Sequence, residues 1–263
     1  MKKKIHTELH KKLVTLLYET KSGHIGSSLS CLDIMAEVMI YHMEKADKFI
    51  LSKGHAAPAL YVVLNYLKKI TNKELYTFHM DGTKFPAHPP NFHLNDDIPF
   101  ATGGLGHGLS LSCGIAQAYK YYIKEKKEAR VYCLISDGEC NEGQTWEAAQ
   151  YASQYKLSNL TVLIDKNRLQ AFGRIEDVLG DSASREKWEA FGFEVWECDG
   201  HKVKEIETVL KQKDFSKSNK PKVIIFNTVK GHGISFMEDK IEWHYNTLSS
   251  ENFDQAMNEL EKM

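Results

Sequence analysis

Apolar positions along the chain follow two alternating rhythms. Short apolar-rich runs, Val131-Tyr-Cys-Leu-Ile135, Leu160 to Ile164, Phe193 to Cys198 and Lys222-Val-Ile-Ile-Phe226, have the length of buried strands, and Lys48-Phe-Ile-Leu-Ser52 is a further one. Elsewhere the spacing is helical. Ile5, Leu9, Leu13, Leu16 and Leu17 mark one stripe of a helix over residues 4–20, opposite a lysine-rich face, and His6, His10 and His42 read as helix-surface residues. A second helix is expected from near Ser30, with Asp33 completing a capping box, and another from Gly54-His55 through ALYVVLNYL. Thr71 with Glu74 caps a short helix. Gly103-Gly-Leu-Gly-His-Gly108 opens a long one to about Tyr122. Further helices are expected from about Gln144 to Tyr155, around Ser184–Phe191, over 203–213 and from Ser250. Pro86, Pro89, Pro90 and Pro99 make 79–102 a loop.

Strands that alternate with helices predict an α/β fold, a mostly parallel sheet with helices on both faces, here as one domain over residues 1–263. The near balance of 34 basic and 35 acidic residues gives no reason to expect nucleic acid or a membrane surface as partner. The first residues, MKKKIHTELHKKL, lack an apolar signal core, and no run approaches membrane-spanning length. Five cysteines without a CxxC pair fit a reducing, cytoplasmic setting.

The candidate chemistry gathers at the strand ends, where open α/β sheets bind ligands. Asp137 and Gly138 follow the strand 131–135, and Asn167 follows the strand 160–164 one helix later. A carboxylate, an amide oxygen and the carbonyls of the turn after Asn167 are hard oxygen ligands suited to magnesium or calcium, commonly completed by phosphate. Gly138 allows close backbone approach, and the next helix N-terminus carries partial positive charge. Together they suit a metal-bridged diphosphate; an ordinary surface Asp-Gly turn is the plain alternative. Cys140 inside this stretch reads as a small filler rather than a nucleophile.

Four histidines sit in turns. They are His24 in Ser22-Gly-His-Ile-Gly26, His55 at a strand end, His88 in Pro86-Ala-His-Pro89, and His244 after Trp243. His24 alone reads more readily as structural, and as a group the four can shuttle protons near neutral pH. A zinc set of His79, His88 and His93 is disfavoured by the prolines and irregular spacing. The turn 103–108 fails as a dinucleotide fingerprint, because no strand immediately precedes it.

Glu142-Gly-Gln-Thr-Trp-Glu-Ala-Ala149 after the acidic turn resembles the transketolase form of the thiamine diphosphate motif. The four histidines fall in the family's chain order, and Lys230-Gly-His-Gly233 resembles its Lys-Gly-x-Gly turn. Departures are Ser136 for the usual glycine, Ile25 for proline, and Gly104 where relatives carry Pro or Ser. The resemblance runs from Ser22 to His244 and matches only the diphosphate-binding half of transketolase.

By that resemblance the chain is the N-terminal subunit of a split transketolase, moving a two-carbon ketol unit between sugars or sugar phosphates. It implies thiamine diphosphate with magnesium (calcium or manganese as substitutes) held by Asp137, Asn167 and the Leu169 carbonyl. Cofactor contacts would come from His55, Gly103, Leu105, Asp137, Gly138, Glu142, Asn167 and His244. The sugar would meet His24, His88 and His244, and these with His55 form the catalytic set. The pyrimidine-binding half would come from a partner subunit, as a two-plus-two heterotetramer, leaving an exposed apolar patch near Leu105 and Leu169. An acyloin synthase, a 2-oxo acid decarboxylating subunit or a catalytically silent binding homologue are the alternatives.

Overall fold

Five strands pair in parallel, β1 (Lys48–Leu51), β2 (Val131–Ser136), β3 (Leu160–Lys166), β6 (Glu194–Asp199) and β7 (Lys222–Asn227), in the order β1-β2-β3-β7-β6. A small antiparallel hairpin, β4 (Leu169–Gln170) with β5 (Gly173–Arg174), follows β3. The computed structural model describes residues 2–90, 97–212 and 218–263. His93 lies outside them, as does Lys213 at the end of the helix expected over 203–213.

Ten α-helices accompany the strands among the described residues. They are α1 (Lys2–Glu19), α2 (Ile25–Ala36), α3 (Ala57–Tyr66), α4 (Asn72–Leu75), α5 (His107–Gln117), α6 (Gly143–Gln154), α7 (Ile175–Val178), α8 (Arg185–Ala190), α9 (Val203–Leu210) and α10 (Ser250–Lys262). Strand side chains alternate between two cores, as the pleat requires. Tyr132, Leu134, Leu163, Ile224 and Phe226 pack with α1, α2, α3, α9 and α10. Cys133, Ile135, Val162, Ile164 and Val223 pack with α5, α6 and α8. Both faces of the sheet are therefore covered, which is why its strands read as apolar throughout. Among the described residues no helix is long and apolar enough to cross a membrane.

Three expectations need correction. The second helix begins not at Ser30 but at Ile25, after His24 in the left-handed region at φ 63°. Ser30 and Asp33 are helix-interior residues and buried, because partners elsewhere satisfy them: Ser30 Oγ donates to Asp165 at 2.6 Å. His6 and His10 are not on the surface. They are 4% and 0% exposed, and His6 meets Asp33 at 2.6 Å and Glu37 at 2.8 Å. His42 is half-buried. Burial would lower the His6 imidazole, but its hydrogen bonds to Asp33 and Glu37 outweigh that and raise it to about 9. The third correction concerns the apolar patch. Leu169 is buried and Leu105 half-buried, whereas Phe172 at 87% and Leu179 at 67% are the large apolar residues exposed nearby in sequence.

The Thr71–Glu74 capping box is present as expected. Both α2 and α5 run on into a wider π-helical turn, over Glu37–His42 and Ala118–Tyr122.

Candidate active site

The carboxyl ends of β1, β2, β3 and β7 lie side by side, and their polar tips form one buried cluster. Lys53, just past β1, is 0% exposed and pairs with Asp165 of β3, also at 0%. Its Nζ also donates to the Ser27 carbonyl at 3.1 Å. Thr228, after β7, donates its hydroxyl to Asp165 as well. Burial pushes the Asp165 carboxyl up, but the Lys53 ammonium, with the hydroxyls of Ser30 and Thr228, holds it below the usual range. Asp165 is thus a charged, fully partnered strut.

Asp137 differs. It is 1% exposed and, among the described residues, accepts from backbone N–H groups alone, Gly138 at 2.8 Å and Arg168 at 2.5 Å. Burial and the neighbouring Asp165 charge raise it to about 7. The Asn167 Oδ1 accepts the Leu169 N–H at 3.0 Å, and the Leu169 carbonyl receives a long contact from Lys230 Nζ at 3.4 Å. Asp137, Asn167 and Leu169 therefore offer hard oxygens around a carboxylate that makes no ion pair among the described residues, which fits a divalent ion such as magnesium. Beside them Gln170 Nε2 is buried without a hydrogen-bond partner, and a side chain on Gly138 would lie 3.4 Å from Gln170 Cβ. An orphaned donor next to a bare glycine fits an anionic oxygen such as a diphosphate's.

Three of the four expected histidines converge. Ring centroids of His24, His55 and His244 lie 5.2 to 5.6 Å apart. His24 donates both its backbone N–H (3.1 Å) and Nδ1 (2.8 Å) to the His244 carbonyl, which leaves its Nε2 for a ligand. His244 Nδ1 accepts from Lys230 at 2.8 Å, so Nε2 carries the proton in this pattern. Burial with the cations Lys230 and Lys53 nearby takes His244 down to about 3, and burial beside Lys53 takes His55 well below its usual value. These imidazoles are neutral at pH 7. Lys230 is itself lowered to about 8 by burial and the Lys53 charge. His88 stands against the Gly103 turn, its ring 3.7 Å from where a side-chain carbon on Gly103 would lie.

Backbone contact holds the glycine-rich turn against this cluster. A side chain on Gly54 would come 3.1 Å from the Thr102 and Gly103 backbone, so the His55 turn and the 102–106 turn meet directly. Gly106 takes φ 83°, and a Cβ there would come 2.9 Å from Glu142 Cβ. Glu139 ties these parts together from a fully buried position. It accepts from Ser52 Oγ, from Gly106 N–H at 3.0 Å and from Ser136 N–H at 3.0 Å. Cys140 is 0% exposed and burial pushes its thiol well above the usual value, as a filler requires.

Sequence reasoning found Asp137, Asn167 and the histidines but not the roles of Lys53, Asp165, Glu139 and Gln170. Lys53 lies in Ser52-Lys-Gly-His55 and Asp165 in Asp165-Lys-Asn167, so their position at strand ends was the available signal.

Residues 6–261 match the family described as "Transketolase, thiamine diphosphate binding domain". The chain belongs to the transketolase family. It carries that family's thiamine diphosphate-binding domain and is a transferase of this type. An apulose-4-phosphate transketolase subunit of Phocaeicola vulgatus is 36% identical over 263 residues, 95% of this chain and 90% of that one. The 6-deoxy-6-sulfo-D-fructose transketolase subunit SqwG of Clostridium sp. is 34% identical over 249 residues, 91% of this chain and 89% of that one. The crystal structure of transketolase from Campylobacter jejuni shares the fold at a TM-score of 0.87 and 28% identity, covering 97% of this chain and 42% of that one. The present chain thus spans less than half of the longer bacterial transketolase and about nine-tenths of the two shorter relatives.

Proposed function

We propose that this chain is the diphosphate-binding subunit of a two-chain transketolase that moves a two-carbon ketol unit from a ketose or its phosphate to an aldose or its phosphate. The observation that carries the reading is the cation-deficient Asp137 carboxylate among the oxygens of Asn167 and Leu169, beside three neutral histidines. Magnesium would be held by Asp137, Asn167 and the Leu169 carbonyl, with Gly138, His55, His244 and Gln170 toward the diphosphate. Gly103 and Leu105 would line the cofactor's ring end, with Glu142 a further cofactor contact. Bound thiamine diphosphate supplies the carbanion chemistry.

The chain's own residues orient and move protons. His24, His88 and His244 would face the sugar's carbonyl and hydroxyl oxygens as neutral imidazoles, with His55 beside them at the diphosphate completing the catalytic set. The buried Lys53–Asp165 pair keeps a second cation close without placing it on Asp137, which leaves that carboxylate for the metal.

Residues 1–263 act as one diphosphate-binding domain in this reading, and the pyrimidine-binding domain comes from a partner subunit in a two-plus-two assembly. The names of the two relatives, each described as a subunit, support a partner, and the exposed Phe172 and Leu179 give it an apolar surface to cover. Five free, buried thiols fit a cytoplasmic enzyme.

The test is ketol transfer by the purified chain with and without a partner of roughly 300 residues, the size of one or two further domains. Activity should require both. Full turnover by this chain alone would overturn the split-enzyme reading.

A further inference from the structure

Lys230 touches two groups of the proposed site, His244 Nδ1 and the Leu169 carbonyl, yet it lies in a turn. That turn is held on both sides of Lys230. Thr228 N–H donates to the Lys166 carbonyl at 3.1 Å, and Gly231 N–H to the Gly26 carbonyl at 3.0 Å. Between them Val229 N–H donates to His201 Nε2 at 2.8 Å. This middle bond depends on which ring nitrogen of His201 carries the proton.

A neutral imidazole has one N–H. His201 Nδ1 faces Asp33 Oδ2 at 3.4 Å, and Asp33 is buried on α2 at 3% exposure. An anionic Asp33 holds the proton on Nδ1, which leaves the Nε2 lone pair for Val229. Asp33 is steadied in turn by His6 Nδ1 at 2.6 Å. His232 stacks on His201 at 3.5 Å and 13°, which fixes the ring plane.

Asp33, His201 and His232 also bring ligand atoms within 4.8 Å of one another, as a metal site would. The geometry argues otherwise. A ligated ion lies near the plane of each imidazole that holds it, and two rings stacked within 13° do not share such a point. Both nitrogens of His201 are already engaged, one with Asp33 and one with Val229.

We propose that Asp33 and His201 are a positioning pair: Asp33 sets the tautomer of His201, and His201 holds the Val229 amide so that Lys230 meets His244 and the Leu169 carbonyl. Asp33 sits on the helix that begins directly after His24, so the pair links that histidine's helix to the Lys230 turn. The inference rests on the cofactor-binding reading above for its consequence, but not for its geometry.

The test uses the partner-assembled enzyme with magnesium, and reads thiamine diphosphate affinity together with hydrogen exchange in the peptide covering residues 228–232. His201→Ala should weaken cofactor binding about ten-fold or more, within the range known for outer-shell supports, and speed exchange. His201→Gln should recover most of the loss, because its amide oxygen reaches the Nε2 position and accepts from Val229. Asp33→Asn should weaken binding in the wild-type background but not in His201→Gln, since an amide has no tautomer to set. An Asp33→Asn penalty equal in both backgrounds would overturn the pairing and leave Asp33 a support for His6 alone. So would a His201→Ala enzyme with unchanged affinity and unchanged exchange. A wild-type assembly that binds no cofactor would overturn the functional reading, while the exchange result would still decide the pair.

Discussion

Lys53 and Asp165 form a fully buried ion pair that reaches across the tip of β2, whose strand lies between theirs. Among the described residues the neighbouring Asp137 is bonded through its carboxylate to backbone N–H groups and to no side-chain cation. Two carboxylates in one dry cluster repel, and burial with the neighbouring Asp165 charge raises Asp137 even with Lys53 close by.

Removing Lys53 should therefore be costly. Lys53→Met leaves Asp165 charged, buried and unpaired, and the loss expected for breaking such a pair is about 3–5 kcal/mol. Urea unfolding of the variant against wild type measures it. A change under about 1 kcal/mol would mean that water reaches the cluster.

Asp137→Ala removes a direct charged ligand, so magnesium-dependent retention of thiamine diphosphate should fall by at least the ~10–100-fold known for loss of outer-shell support. Cys140→Ala, one residue inside the same motif, should leave retention close to wild type. Calorimetry on the assembled enzyme compares the two. Equal affinity in Asp137→Ala and wild type would remove Asp137 from the metal site.

The helix start at His24 shows where the sequence stopped being legible. Residue spacing placed the five strands of the parallel sheet, though not the β4–β5 hairpin, and put Asp137 and Asn167 at adjacent strand tips, because apolar runs and their polar ends are local signals. His24 opens α2 from a left-handed conformation held by the His244 carbonyl, a contact 220 residues away along the chain. His6 and Asp33 read as surface and cap because each is polar, and each is buried because the other is there. Lys53 and Asp165 were visible as residues but not as a pair, since their meeting depends on the order of strands in the sheet.

His24 and His88 are assigned to the sugar, so substitution should separate turnover from cofactor binding. His24→Ala and His88→Ala should each lower the rate by about 10²–10⁴-fold, the usual worth of a positioned proton-transfer group. Thiamine diphosphate affinity should stay near wild type. Steady-state kinetics beside a cofactor titration tests this, and a variant that loses the cofactor while keeping its rate per bound cofactor would reverse the assignment.

Lys222 gives a pH signature unconnected with the site. Burial lowers its ammonium from 10.5 to about 8, although its Nζ donates to the Ser158 carbonyl at 2.6 Å. Below pH 8 the folded and unfolded chains are both protonated, and the folded one bears the cost of a buried charge. Between pH 8 and 10.5 only the unfolded chain keeps the proton, so this residue's contribution to stability rises with pH. Lys222→Met should flatten that rise, and urea midpoints of both proteins at pH 7.5 and pH 10 would show it. Parallel pH curves for the two would remove Lys222 as the cause.

All five thiols lie inside the packed cores or against them, from 0% exposure at Cys31, Cys133 and Cys140 to 9% at Cys198. An alkylating reagent reaches the fully buried ones only when the surrounding layers part. Cys133 and Cys140 sit at β2 and the turn that follows it, Cys31 in α2, and Cys113 in α5, so the labels are spread over both sides of the sheet. The order in which they react would time the opening of each layer separately, turning the native sequence into its own clock of how the two faces come apart.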